Sequence, residues 1–222
     1  MNRKMITLAR ELRGITQVEL ADKISMSHTS VSKMESGDIN VSSEAIKDIA
    51  RVTNFPVSFF GQEYEVFPEP LTFRKREKVA QKLLLPIQAK INLIKFNIQH
   101  LLKELSIGNV NLHIHQVSET NTPAVIAQKV RKAWKVDSPV INNIVQLVED
   151  KGIAVACFDF ATERVDSRCI TTENRFPVII FNKTLLGDRQ RFSLAYQLGH
   201  LIMHVYYTID WERDVTHEAN LF

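Results

Sequence analysis

Two histidines near the end of the chain, His200 and His204, stand four positions apart. Residues with that spacing share one face of a helix, where two imidazoles could hold a metal ion together. Glu218 or His217, from a following predicted helix, could complete such a site. A histidine beside an apolar stripe is more often satisfied by a hydrogen bond, however. The pattern by itself therefore favours a structural role, with a rebuilt metal site as the alternative.

A second stretch with chemical potential lies near the start of the chain. Thr16 followed by Glu19 forms a capping box, which marks the beginning of one helix. Ser27 can cap a second helix, and Gly37 provides its end. Two short helices joined by a tight turn are therefore predicted, and the second is called the reading helix below.

The reading helix should expose a polar face. Val31 and Met34 are three positions apart and are expected to face the core. Short polar side chains on the opposite face would let the helix approach base edges in the major groove of DNA. These outward residues are His28, Thr29, Ser32 and Lys33.

The bulk composition is that of an ordinary globular protein. The chain has 222 residues, 45% of them hydrophobic, and a formal net charge of +3, which is too small to indicate nucleic acid by itself. Its first residues contain no uninterrupted apolar stretch of signal-peptide type, and no run approaches the roughly 20 apolar residues of a membrane helix, so we expect a cytoplasmic protein without membrane contact. Cys157 and Cys169 belong to no disulfide or zinc motif and are interpreted as free thiols.

Residues 9–60 resemble the XRE (lambda-repressor-like) family of helix-turn-helix proteins. Besides the capping and reading-helix residues, the similarity rests on Arg13-Gly14, Glu35 and the segment 55–60. It implies an all-α domain of five helices that binds double-stranded DNA, with Gln17 contacting phosphate and bracing the reading helix. The residues implied at or beside the DNA are Gln17, Ser27, His28, Thr29, Ser30, Ser32 and Lys33.

A single reading helix covers only a few base pairs. Useful specificity therefore needs two copies of it, which predicts a homodimer on a palindromic operator with half-sites about one helical turn apart. The chain is accordingly expected to be a sequence-specific transcription regulator.

Residues 189–204 resemble the zinc helix of the ImmA/IrrE-type metallopeptidase domain. This domain often follows an XRE domain in regulators of prophages and mobile elements. The similarity continues upstream at residues 71–74, 131–134, 152 and 176–180. It implies an α+β zincin-like fold for the carboxy-terminal part of the chain.

The chain departs from that family at two decisive positions. The family helix reads H-E-x-x-H, because two imidazoles hold zinc while the glutamate acts as base for the bound water. Here Tyr196 takes the first histidine position and Gln197 the glutamate position, leaving His200 and Glu218 as ligand positions. Two ligands hold zinc weakly, and a neutral amide cannot accept the proton. We therefore expect no catalytic residue, no cofactor, and only a vestigial metal site.

The expected organisation is multi-domain and mainly α. Residues 1–62 should form the helix-turn-helix domain, residues 63–82 a basic linker, and residues 83–222 the pseudo-metallopeptidase domain. The last begins with a long connector helix that has Pro86 in its first turn. The apolar stripe on this helix suits either packing within its own domain or a dimer seam.

Several alternatives stay open at this point. The carboxy-terminal domain could mediate dimerisation or sense a protein partner. The chain could instead be a zinc metallopeptidase that cleaves a partner regulator, or the antitoxin of a toxin-antitoxin pair. The family helix at Glu218 normally continues beyond the position of Phe222, which suggests a truncated chain or a clipped domain.

Overall fold

The computed structural model describes residues 1–63, 74–75, 79–105, 110, 112–172, 174–210 and 212–222. These residues form two compact units. Among the described residues, the first unit comprises residues 1–63 and 79–100, and the second comprises residues 74–75 and those described from 101 to 222. Most of the predicted basic linker, at 63–82, lies outside the described residues. Among the helices that are described, none is both long and apolar enough to cross a membrane.

The amino-terminal part of the first unit consists of four α-helices and a 3-10 helix, as the resemblance implied. Each α-helix begins after a polar residue whose side chain accepts a hydrogen bond from a backbone N–H of the first turn. These caps are Asn2, Thr16, Ser27 and Ser42. The elements are α1 (Arg3–Leu12), α2 (Gln17–Lys23), α3 (His28–Ser36), α4 (Ser43–Thr53) and the 3-10 helix (Val57–Gly61).

One apolar core holds these helices together. Side chains from all four α-helices and the 3-10 helix contribute to it. Their burial out of water is the main driving force for folding of this unit. Fully buried examples are Met5, Leu20, Val31, Ile49 and Phe60.

The next helix, α5 (Gln81–Leu105), starts earlier than predicted. Pro86 therefore lies inside the helix and not in its first turn, which corrects the expectation from sequence. Proline has no N–H to donate at this position, so one hydrogen bond of the helix is missing there.

The larger part of α5 belongs to the first unit. Ala89 is fully buried in the core of that unit, and Leu93 and Phe96 pack against it. We expected one domain over residues 83–222, whereas the contacts group α5 with the first unit as far as His100. The cause is a second apolar face of α5, formed by Ala89, Leu93 and Phe96 on the side opposite the predicted stripe, which packs against the core of the preceding helices.

A mixed sheet forms the centre of the second unit. In the part of the chain that the structure describes it has four strands in the order β1-β3-β4-β2. β2 runs parallel to β4, whereas β3 is antiparallel to both β4 and β1. The strands are β1 (Arg74–Lys75), β2 (Ala154–Phe158), β3 (Val165–Thr171) and β4 (Pro177–Asn182).

Helices pack against this sheet and close a second core. Ile179 of the central strand, Leu201 and Met203 are fully buried in it. This α+β arrangement agrees with the fold class expected for the second domain. The helices are α6 (Pro123–Ala133), α7 (Ile144–Glu149), α8 (Gly187–Met203) and α9 (Val215–Leu221).

Both cysteines are free thiols on neighbouring parts of the sheet. Cys157 on β2 is exposed, whereas Cys169 on β3 is only partly accessible. Burial raises the pKa of the Cys169 thiol to about 12.

Candidate nucleic-acid interface and the carboxy-terminal histidine cluster

Local side-chain hydrogen bonds define the start of α2 and the start of α3. The backbone N–H of Glu19 donates to Oγ1 of Thr16 at 3.2 Å, and the Thr16 N–H donates to Glu19 Oε2 at 2.6 Å. Ser27 Oγ accepts from the N–H of Ser30 at 3.1 Å and so starts α3. Gly37 ends α3 with a φ of 89°, in the left-handed region. The two helices thus form the tight corner that the sequence predicts.

The structure places the predicted DNA-binding side chains along α3 and its cap, from Ser27 to Lys33, and at the start of α2, Gln17. Ser27, His28, Thr29 and Lys33 are exposed. Val31 and Met34, on the opposite side of the same helix, are buried. The remaining predicted residues, Gln17, Ser30 and Ser32, are partly exposed.

A buried ion pair fixes α3 against α1. The guanidinium of Arg10 donates to both carboxylate oxygens of Glu35, at 2.6 Å through Nε and 2.9 Å through Nη2. Their side chains are only 10% and 6% exposed. Burial alone would lower the pKa of Arg10, but the hydrogen bond and charge of Glu35 hold it above its ordinary value. A bidentate contact of this kind fixes orientation as well as distance.

Gln17 joins this pair from the start of α2. Its Nε2 donates to Oε2 of Glu35 at 2.8 Å, so one carboxylate links α1, α2 and α3. Sequence reasoning did not identify Arg10. The available signal was a charged residue directly after Ala9, on the buried side of α1. The three side chains together hold the exposed face of α3 in a fixed orientation.

In the second unit, α8 and α9 bring two histidines and a glutamate together. Nδ1 of His200 lies 2.9 Å from Nδ1 of His204, one turn further along α8. Nε2 of His204 lies 2.8 Å from Oε2 of Glu218 on α9. His217, the other residue considered for a metal site, is exposed. Of the two residues of α9 considered from sequence as further metal ligands, Glu218 therefore lies beside the histidines in a hydrogen-bonded cluster.

The carboxylate of Glu218 also accepts hydrogen bonds from an arginine. Nε of Arg213 donates to Oε1 of Glu218 at 3.0 Å, and Nη2 donates to Oε2 at 2.5 Å. Arg213 lies in the turn just before the cap of α9, Asp214. Sequence reasoning missed this residue, because a charged side chain in a turn carries no signal of its partner.

Protonation in the cluster follows from burial and from the bonds. Burial lowers the pKa of His200 to about 4; the nearby His204 adds to the effect and Glu218 opposes it. Burial also lowers the pKa of His204, against the hydrogen bond to Glu218. Burial would raise the pKa of Glu218, but bonds from Arg213 and His204 hold it below its ordinary value. Both rings are therefore neutral and the carboxylate is ionised at neutral pH.

These charge states assign the direction of each bond. An ionised carboxylate only accepts, so His204 donates from Nε2 to Glu218. The single proton of neutral His204 is then used, and its Nδ1 accepts from Nδ1 of His200. The cluster forms one directed chain of hydrogen bonds, from His200 through His204 to Glu218.

The two positions that depart from the zinc motif are occupied by packed side chains. The Tyr196 ring is 5% exposed and meets the His200 ring edge-on, with centroids 4.6 Å apart. Gln197 is buried and donates from Nε2 to Oγ of Ser167 on β3 at 2.9 Å. A tyrosine and an amide thus stand where the family has an imidazole ligand and a carboxylate base.

Zinc does not fit this set of residues. Nδ1 of His200, both ring nitrogens of His204 and both oxygens of Glu218 are engaged with one another or with the guanidinium of Arg213, whereas zinc needs ligand lone pairs that converge on one point. Among the described residues, no group of three or more His, Cys, Asp or Glu is arranged to hold a metal ion.

Two family models match the chain. Residues 6–60 match the helix-turn-helix model, which covers α1–α4 and the 3-10 helix. Residues 148–222 match the model of the IrrE N-terminal-like domain, which covers the sheet strands β2–β4 and the histidine cluster. This second match begins later in the chain than the resemblance predicted. No curated protein and no solved structure matches the chain significantly.

Proposed function

We propose that this chain is a sequence-specific transcription regulator of prophage or mobile-element type. Residues 6–60 belong to the XRE-type helix-turn-helix family, and residues 148–222 belong to the IrrE N-terminal-like family. In this proposal the first unit reads DNA. The second unit is a pseudo-metallopeptidase that serves in dimerisation or in sensing a protein partner.

The observation that carries the proposal is the exposed polar face at the start of α3. His28 and Thr29 in the first turn, and Lys33 further along, are exposed on a helix whose opposite side is anchored in the core. The first turns of a recognition helix are the part that reaches base edges in the major groove. The buried contact between Arg10 and Glu35 supports this role, since it limits rotation of the helix about its own axis.

We propose a homodimer on a palindromic operator. One α3 has only a few side chains that can reach bases, so a single copy discriminates weakly between sites. Two copies related by a two-fold axis read two half-sites about one turn of DNA apart. Interaction with DNA places the protein in the cytoplasm, with the nucleoid.

The second unit is proposed to have no peptidase activity. Hydrolysis by a zinc enzyme needs a bound water and a base that accepts its proton. The amide of Gln197 is neutral and is committed to Ser167. The geometry of His200, His204 and Glu218 favours a hydrogen-bonded cluster over a metal centre.

Selection of genomic fragments by the purified full chain tests the DNA-binding proposal. We expect enrichment of fragments that contain an inverted repeat, and retardation of those fragments in gels at low salt. Binding should weaken steeply as salt rises, because phosphate contacts release counterions. Failure to retard any promoter fragment at low salt would contradict the proposal. A peptidase would instead be indicated by cleavage of a partner regulator and by stoichiometric zinc.

A further inference from the structure

Glu218 needs a nearby positive charge. Its side chain is only 16% exposed, and an ionised carboxylate removed from water is costly unless a cation compensates it. In a zinc site of the matching family the metal ion would supply that charge. The two neutral histidines of the cluster supply none.

Arg213 supplies it here. Its guanidinium contacts both oxygens of Glu218, at 3.0 Å and 2.5 Å, in the forked geometry that matches a carboxylate. The Arg213 side chain is itself only 24% exposed. The pair is therefore partly shielded from water, where an ion pair is stronger than on an open surface.

The other hydrogen bonds of the cluster agree with Arg213 as the cation that compensates Glu218. His204 donates to the same carboxylate oxygen that accepts from Nη2 of Arg213. His200 donates to His204. Both oxygens of Glu218 and Nδ1 of His204 are thus used within the protein, and a metal would have to displace Arg213 to reach Glu218.

We propose that Arg213 takes the place of the metal ion in this domain: its guanidinium neutralises Glu218 and joins α9 to α8, so the site is closed by the chain's own cation. This inference does not depend on DNA binding. It deepens the proposal that the second unit is not a zinc peptidase.

A metal-binding comparison of full-length variants tests it. The set is the natural protein, Tyr196→His, Arg213→Met, and Tyr196→His with Arg213→Met. Each is dialysed against Co²⁺ or Zn²⁺ and freed of loose metal. Bound Co²⁺ is read from its visible absorption and Zn²⁺ by elemental analysis.

Only the double variant should bind metal tightly, at about one equivalent, because it has three family ligand positions and no competing guanidinium. Tyr196→His alone, which retains Arg213, should bind at least about tenfold more weakly, since the metal must first displace a paired cation. Equal binding by Tyr196→His and the double variant would overturn the proposal. So would a cooperatively folded double variant that binds no metal.

A rescue experiment covers the case in which the double variant does not fold. Arg213→Met should lower the thermal midpoint by several degrees, because it leaves a shielded carboxylate without its cation. Adding Glu218→Gln to Arg213→Met should recover a substantial part of that loss, since a neutral amide needs no cation. A variant with both changes that melts no higher than Arg213→Met alone would overturn the proposal.

A matched control separates this effect from the general loss of an arginine. Arg191 on α8 donates to the backbone carbonyls of Asn142 and Ile141, which carry no charge. Glu218→Gln should give no rescue in an Arg191→Met background. Equal rescue in both backgrounds would mean that Glu218→Gln stabilises the domain by another route, and the proposal would fail.

Discussion

At the scale of single residues, Glu35 has the greatest consequence for the DNA-binding unit, because one buried carboxylate holds three helices. Replacing Arg10 by Met should destabilise the protein by about 3 kcal/mol, since it leaves Glu35 buried without its cation. The measurement is urea unfolding followed by circular dichroism. Arg51→Ala is the control: its pair with Asp48 is 67% and 40% exposed, so the loss should be below about 1 kcal/mol. Similar losses in the two variants would contradict this account of Arg10.

Lys33 is the residue that best separates DNA contact from fold. It is exposed on α3, so Lys33→Ala should leave unfolding unchanged. Affinity for the selected operator should fall several-fold, and the slope of log affinity against log salt should decrease by about 1 if Lys33 contacts a phosphate. The matched control is Lys132→Ala, which removes the same charge from an exposed position on α6. A loss of the same size in both variants would show that only net charge matters.

Some contacts of the helix-turn-helix domain could be predicted from single residues of the sequence, and others could not. The capping pair Thr16 and Glu19 and the cap Ser27 act within three residues, so their types and spacing define the contact. The contact of Arg10 with Glu35 joins residues 25 positions apart. Its formation depends on how α1 and α3 pack, which sequence spacing does not specify.

At the scale of elements, the end of α3 depends on the backbone of Gly37. A Cβ added there would lie 1.7 Å from Nη1 of Arg3, and the φ of 89° is unfavourable for any other residue. Gly37→Ala should therefore lower the free energy of unfolding by more than about 1 kcal/mol. Gly187→Ala is the control, because nothing lies within 4 Å of the added Cβ. Thermal unfolding of both variants checks the difference.

The contact between α8 and α9 should weaken in acid. The native pKa of His200 is about 4, below its unfolded value, so the unfolded chain binds the extra proton between about pH 6.5 and pH 4. Stability should fall as the pH is lowered through that window, by up to about 1.4 kcal/mol per pH unit from this residue. His204 acts in the same direction, because burial also lowers its pKa. Glu218, whose pKa is lowered by Arg213 and His204, adds to the loss at lower pH.

Unfolding measured at pH 6.5 and pH 5 checks this prediction. Residues of the cluster that face His200 are Tyr196, His204 and Glu218, with Arg213 behind them. His200→Gln keeps an N–H donor but does not titrate. It should therefore show a smaller loss of stability over the same interval, and an equal loss would contradict the assignment to His200.

A strand can be recognised from sequence most easily where its residues are nearly all apolar. β2 (AVACF) and β4 (PVIIFN) are largely apolar runs, which indicate buried strands, whereas β3 (VDSRCIT) contains several polar residues. Asp166 on β3, for example, is fully buried and bonds to Arg189 of α8. A strand that buries paired charges has no alternation to identify it.

At the scale of the whole molecule, the number of copies on DNA is the decisive quantity. We expect two chains per operator, because one α3 reads too few base pairs. Multi-angle light scattering of the complex with a single-site duplex should give a mass of two chains plus DNA. A complex of one chain that retains full sequence preference would contradict the prediction.

The surface that joins two copies is not given by the sequence. The apolar stripe on α5 suits a dimer seam or internal packing, and its early part is buried, with Ile87 and Ile91 each 2% exposed. Leu101, later in the same stripe, is 56% exposed. Only the later positions are therefore free to contribute to a seam, and Leu101→Lys should disrupt a dimer formed there.

The contrast between the two thiols has a practical consequence. Alkylating reagents attack the thiolate, so the exposed Cys157 should react readily at mild pH, whereas Cys169 should react very slowly. A maleimide dye would then give a nearly uniform, singly labelled protein without mutagenesis. The label would stand on strand β2 of the second unit, and the tumbling rate of the dye would report on binding of the full chain to operator DNA.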